Sequence, residues 1–237
     1  MSTREDRLTA LAALAEPLRR RLYLHVSGSA TPVSRDAAAE ALGIPRSVAA
    51  FHLDKLAEVG VLDVDYRRPP GRSGPGAGRP SKFYRRAETE IGFSVPERRY
   101  DLAAAILARA LEDAKADSIP VDVALRAAAH DYGRIIAGAP GGAAAMADDE
   151  FDRVLGVLSA HGYEPTRDGN TITLENCPFH ALAEEHRDLV CGMNLDVVTG
   201  VLEGAAATHL KARLDPAPGR CCVTLHAGGR TTAGKTR

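Results

Sequence analysis

A chain of 237 residues, 45% hydrophobic and 26% charged, is long enough for two small domains, and its apolar runs are broken every few residues by Arg, Asp or Glu, which excludes a membrane span. The opening MSTREDRL is charged where a signal peptide has an apolar core, so the expected location is the cytoplasm, where the four Cys are not expected to be structural disulfides. The net charge of −1 conceals a split, because residues 1–86 hold 15 Lys and Arg against 9 Asp and Glu while residues 87–237 hold 15 against 22.

In chain order, residues 8–14 and 17–26 read as helices, with Pro17 accepted in a first turn and Leu18, Leu22 and Val26 on one face. Ser34 is placed to cap a helix over 35–42 with Ala38, Ala41 and Leu42 inward. Gly43-Ile44 is a tight turn, and Pro45 opens a third helix that runs to Val59 and is ended by Gly60. In that helix Ala49, Leu53 and Leu56 recur at helical spacing and face a core, leaving Arg46, Ser47, Ala50, Asp54 and Lys55 outward. Two helices across a short Gly turn form a helix-turn-helix. Residues 61–67 then alternate as a strand and 82–85 supply a second, so the piece between them is a hairpin loop, a wing. From Tyr66 to Ala87 the chain carries Arg67, Arg68, Arg72, Arg79, Lys82, Arg85 and Arg86 with no acid, a concentration that attracts polyanions.

This order of elements resembles the winged-helix DNA-binding domains, and S-R-D-A-A-A-E-A-L-G-I-P-R-S-V-A-A-F-H-L-D-K-L-A-E-V-G-V-L is similar to their ArsR/MarR-type version. The resemblance implies a DNA-binding domain over 1–90 and a double-stranded operator as partner. Arg46, Ser47, Ala50 and Lys55 would then approach bases, and Arg72, Arg79 and Lys82 the phosphates.

Beyond the wing the composition turns alanine-rich and acidic. Residues 100–115, with Leu102, Ile106 and Leu111 on a stripe, and 121–136, with Val121, Leu125 and Tyr132, read as connector helices within 97–138, suited to homodimerisation. Residues 137–147 read as a loop. Region 148–227 alternates: a helix through Phe151, Val154, Leu155 and Leu158, a hairpin of 163–167 and 171–175 around Asp168-Gly169-Asn170, helices over 179–186 and 189–203, then strands over 209–214 and 220–226. The fold class is α+β, and the tail 228–237 is expected to be disordered.

All four Cys lie in this last region, at spacings that fit neither a zinc ribbon nor a C-x-x-C pair. Asn176-Cys177-Pro178-Phe179-His180 puts a thiol in a Pro-restricted turn before a helix, and Cys191 begins the next one; both places favour thiolate and suit a metal or cluster. Cys221 and Cys222 are adjacent on the expected last strand, so one is expected to reach the site and the other to pack in the core. The runs N-C-P-F-H-A-L-A-E-E-H-R-D-L-V-C-G-M-N-L and L-D-P-A-P-G-R-C-C-V-T-L, downstream of the winged helix, resemble the SufR-type repressors that sense iron–sulfur status. That resemblance implies a 4Fe-4S cluster held by Cys177, Cys191 and Cys221. Where the family has a further Cys this chain has Ala205-Ala206-Ala207, which leaves the fourth ligand open among His180, His209, Cys222 and a small molecule. Zn²⁺ ligation or a purely thiol-based switch is the alternative sensing chemistry. No Gly-rich phosphate loop is present and no base flanks a Cys, so the chain is not expected to be an enzyme; a thiol-dependent enzyme with a nucleic-acid arm is the alternative from another class.

Overall fold

The computed structural model describes residues 4–67, 80–139 and 147–228. The wing tip with Arg72 and Arg79, residues 140–146 of the expected loop and residues 229–237 of the expected disordered tail lie outside the described residues. The chain divides into two compact units, residues 1–93 and 94–237, each with its own apolar core.

The first unit runs α1 (Arg4–Ala15), α2 (Pro17–Ser27), β1 (Val33–Ser34), α3 (Arg35–Leu42), α4 (Arg46–Glu58), β2 (Leu62–Arg67) and β3 (Ser81–Arg86). Local chemistry sets the boundaries. The Glu16 carboxylate accepts the first free N–H groups of α2, from Leu18 at 3.0 Å and Arg19 at 2.6 Å. The Ser34 hydroxyl accepts the Ala37 N–H at 3.1 Å to start α3, and Gly43, at φ 64°, ends it in the left-handed conformation that a side chain would resist. Leu22, Leu53, Leu56 and Tyr84 are fully buried at the centre. The sheet has order β1-β3-β2, antiparallel throughout, and the two-residue β1 was not foreseen. Two expected faces are rotated: α3 buries Ala38 and Ala39 and exposes Ala41, and Asp54 is turned toward the wing, where cations need it, rather than outward.

The second unit runs α5 (Tyr100–Asp117), α6 (Val121–Ala137), α7 (Glu150–Ala160), β4 (Pro165–Asp168), β5 (Thr171–Leu174), α8 (His180–Glu185), α9 (Arg187–Gly204), β6 (Leu210–Leu214) and β7 (Val223–Ala227). Its antiparallel sheet has order β4-β5-β7-β6. Helix α9 is the spine, burying Val190, Met193, Val197, Val198 and Val201, and α5 and α6 share its core with the sheet. Helices α6 and α9 cross backbone to backbone. A Cβ at Gly133 would strike the Val197 carbonyl oxygen, and one at Gly200 that of His130. The expected inward stripe of α5 is corrected to Leu102, Ile106, Ala110 and Ala114; Leu111 is exposed, as is Val121 of α6, because small residues make the close contacts here.

The mixture of helices with two small antiparallel sheets is the α+β class expected. Among the described residues no helix is long and apolar enough to cross a membrane.

Candidate nucleic-acid interface and cysteine site

Helices α3 and α4 meet across Gly43-Ile44-Pro45, with Ala49, Leu53 and Leu56 of α4 in the core as the spacing required. Arg46 and Ser47 are exposed in the first turn of α4, Ala50 is half-buried, and Lys55 is exposed farther along. Arg46 Nε donates to Asp36 at 2.5 Å and Lys55 Nζ to Glu58 at 2.6 Å. Both pairs lie in solvent, where such contacts contribute little and exchange readily for phosphate or base acceptors. Lys82, expected at the phosphates, donates to Asp54 at 2.8 Å.

Asp54 also accepts from Arg35 at 2.6 Å and from the Tyr84 hydroxyl at 2.7 Å, so one carboxylate ties α3, α4 and β3 together. Partial burial alone pushes this carboxyl up; the bonds from Lys82, Tyr84 and Arg35 outweigh it and hold Asp54 below its ordinary value of 3.8. Burial, and then the bond to Asp54, pushes the Tyr84 phenol up to about 12. The sequence reading also passed over Phe51, which stands 57% exposed on α4 between Ala50 and His52.

Residues 14–65 match the family described as a Helix-turn-helix domain. The chain is a DNA-binding regulator of transcription. Continued by strands β2 and β3, the matched segment makes a winged helix-turn-helix. Neither a curated protein nor a solved structure matches the chain.

In the second unit the four Cys converge. Cys177, Cys191, Cys221 and Cys222 all line one pocket of about 370 Å³, together with His180, Arg187 and the turn from Pro216 to Arg220. Cys177 sits in the link from β5 to α8, and Cys191 in the second turn of α9 rather than at its start. Cys221 and Cys222 precede β7 instead of lying within the expected strand, so strand alternation does not separate them. The Cys221 N–H donates to Leu174 at 2.8 Å and the Asp215 N–H to the Cys222 carbonyl at 2.7 Å, which shapes this pair.

Cys191 and Cys222 are joined as a disulfide with Cα atoms 6.4 Å apart, contrary to the expectation of no disulfide: helix and turn bring these two residues within bonding reach. Cys177 and Cys221 are free, buried and hydrogen-bonded to each other. The contact between them lowers the Cys221 thiol and raises that of Cys177, which burial raises further. The Val223 N–H, the Asn194 amide at 3.1 Å and the Arg220 charge also lower Cys221.

Around them is a polar shell that the sequence reading missed. The buried Tyr163 hydroxyl donates to Asn194 at 2.5 Å, and Asn194 in turn donates to Cys221. Buried Asn176 donates to the carbonyls of Glu97 and Gly162 at 2.8 and 2.6 Å and accepts from Arg98, which also donates to the Cys177 carbonyl at 3.2 Å. Asn194, in register with the apolar residues of the buried face of α9, was the available signal.

Of the other fourth-ligand candidates, His180 lines the pocket but is paired with Glu184 at 3.4 Å, and His209 is engaged by Glu150 at 3.2 Å and does not line it. Among the described residues, no group of three or more His, Cys, Asp or Glu side chains has the arrangement to hold a metal ion.

Proposed function

We propose that this regulator is a homodimeric repressor that senses iron–sulfur status through a 4Fe-4S cluster held by Cys177, Cys191, Cys221 and Cys222. The observation that carries the reading is the gathering of four Cys from three separate stretches of the chain around one pocket, with the Asn194 amide donating to the sulfur of Cys221. With Cys191 and Cys222 bonded to each other the four are not arranged as a ligand set; once reduced they offer the soft thiolates that bind iron–sulfur clusters, whose potential responds to hydrogen bonds on sulfur. Cys222 is the fourth ligand in this reading because it already faces Cys191. Ala205, standing where the resembling family has a cysteine, ends α9 about 21 Å along the axis from Cys191 at 1.5 Å per residue, too far to serve the pocket.

The disulfide-bonded form is then the oxidised state of the site. Reduction by a dithiol breaks the Cys191–Cys222 bond, adding two electrons and two protons to give two thiols, and loss of those protons readies both as ligands. A bound cluster would supply sensitivity to oxidants and to iron supply. Arg98 and Asn176 hold the Cys177 loop in place, and Asn194 donates to Cys221. Dimerisation is supported by the outward stripe of Ala104, Ala108 and Leu111 on α5.

Protein reduced and reconstituted without oxygen is expected to hold about four iron and four sulfide per chain and to absorb in the visible. Cys177→Ser, Cys191→Ser, Cys221→Ser and Cys222→Ser should each lose that absorbance. Colourless protein carrying zinc would replace the cluster with a tetrathiolate zinc switch, and wild-type iron content in Cys222→Ser would remove Cys222 from the ligand set.

A further inference from the structure

We infer that Phe51 reads the 5-methyl groups of thymine in the major groove, as a specificity-determining residue of α4. The inference rests on the operator-binding reading. At about 100° per residue from buried Ala49, Ser47 and Phe51 fall about 160° and 200° around the helix, in the middle of its outward side. Arg46 and Ala50, at about 60° and 100°, are at its margin. A phenyl ring more than half exposed at the centre of that side costs exposure of apolar surface, and its aromatic contact among the described residues is an edge contact with the ring of neighbouring His52, centroids 5.2 Å apart.

Among the same unit's aromatics Tyr84 is completely buried, and Tyr66, on β2, is 62% exposed. Phe51 lies one turn beyond Ser47, on the second helix of a helix-turn-helix and flanked by the exposed cations Arg46 and Lys55. That is the part of the motif whose side chains reach base edges. Thymine offers the major groove's apolar feature, its methyl, and Phe is one of the side chains suited to it.

The test uses full-length reduced protein and the duplex that it enriches from a randomised double-stranded library. Each thymine of that duplex is replaced in turn by uracil, which pairs identically and lacks the methyl. At one or more positions wild type is expected to bind the uracil duplex about fourfold more weakly, the factor for one methyl-sized apolar contact. Phe51→Ala is expected to bind the thymine and uracil duplexes alike, and Phe51→Leu to retain part of the preference. Because Phe51 is exposed, the thermal midpoint of Phe51→Ala should equal that of wild type, which separates recognition from folding. Uracil tolerated everywhere by wild type, or an equal loss in Phe51→Ala, would overturn the inference while leaving specific binding intact. Failure to enrich any duplex would overturn the inference and the operator-binding reading together.

Discussion

Asp54 is where helix geometry and tertiary demand part company. As a polar residue on the far side of α4 from Ala49 it belongs in solvent by periodicity, yet it accepts from Arg35, Lys82 and the Tyr84 hydroxyl at 2.6 to 2.8 Å. The reason lies in residues remote in sequence: Tyr84 is fully buried and its hydroxyl needs an acceptor, which no pattern within α4 could reveal. Asp54→Asn is expected to cost about 1–3 kcal/mol at neutral pH, since charge-assisted bonds to Arg35 and Lys82 are weakened together. Its folded pKa lies below the ordinary 3.8, so the carboxylate's contribution is complete above that value and is lost as the pH falls through the folded one. Urea unfolding of the two proteins should therefore show a gap at pH about 7 that narrows toward pH about 3. A gap of constant size would mean that Asp54 acts by shape rather than charge.

Elements were legible in proportion to how local their causes are. Ser34, Gly43 and Gly60 punctuate α3 and α4, and the chain obeyed them because caps and left-handed turns are decided within a few residues. Strand β1 was not legible: Val33-Ser34 becomes a strand only by pairing with Tyr84 and Phe83. The Cys221-Cys222 pair misled for the complementary reason, since alternation extends a strand backward until tertiary hydrogen bonds, here from Cys221 to Leu174 and from Asp215 to Cys222, stop it. The packing of α6 on α9 is likewise invisible to hydrophobic periodicity because glycine makes it. Two substitutions in α9 should then act in opposite directions. Gly200→Ala, whose Cβ meets the His130 carbonyl, is expected to destabilise by about 1–3 kcal/mol despite alanine's better helix propensity. Gly192→Ala, with nothing within 4 Å of the added carbon, should stabilise by up to about 1 kcal/mol. Thermal unfolding followed by circular dichroism checks both, and equal signs would mean that propensity rather than the crossing governs α9.

At the scale of the molecule, positive charge and cysteine chemistry belong to different units. The excess of Lys and Arg lies in residues 1–86, and all four Cys lie beyond residue 176. Salt dependence of DNA binding reflects the phosphates that are neutralised, so it reports on the first unit, whereas the state of the second can alter affinity through the equilibrium between DNA-competent and incompetent arrangements. These two influences separate in a plot of log affinity against log salt. Neutralising Arg72 and Arg79 should flatten the slope by up to about 0.9 for each phosphate left without its cation. Cys177→Ser, which removes a proposed ligand and touches no cation of the first unit, should displace the line from that of cluster-loaded wild type and keep its slope, because the same phosphates are neutralised in a different fraction of molecules. Coincident lines would show that the cysteine site is not coupled to DNA binding. A changed slope in Cys177→Ser would instead mean that the sensor unit governs how many phosphates are engaged, and the division of labour between basic and cysteine-bearing units would fail.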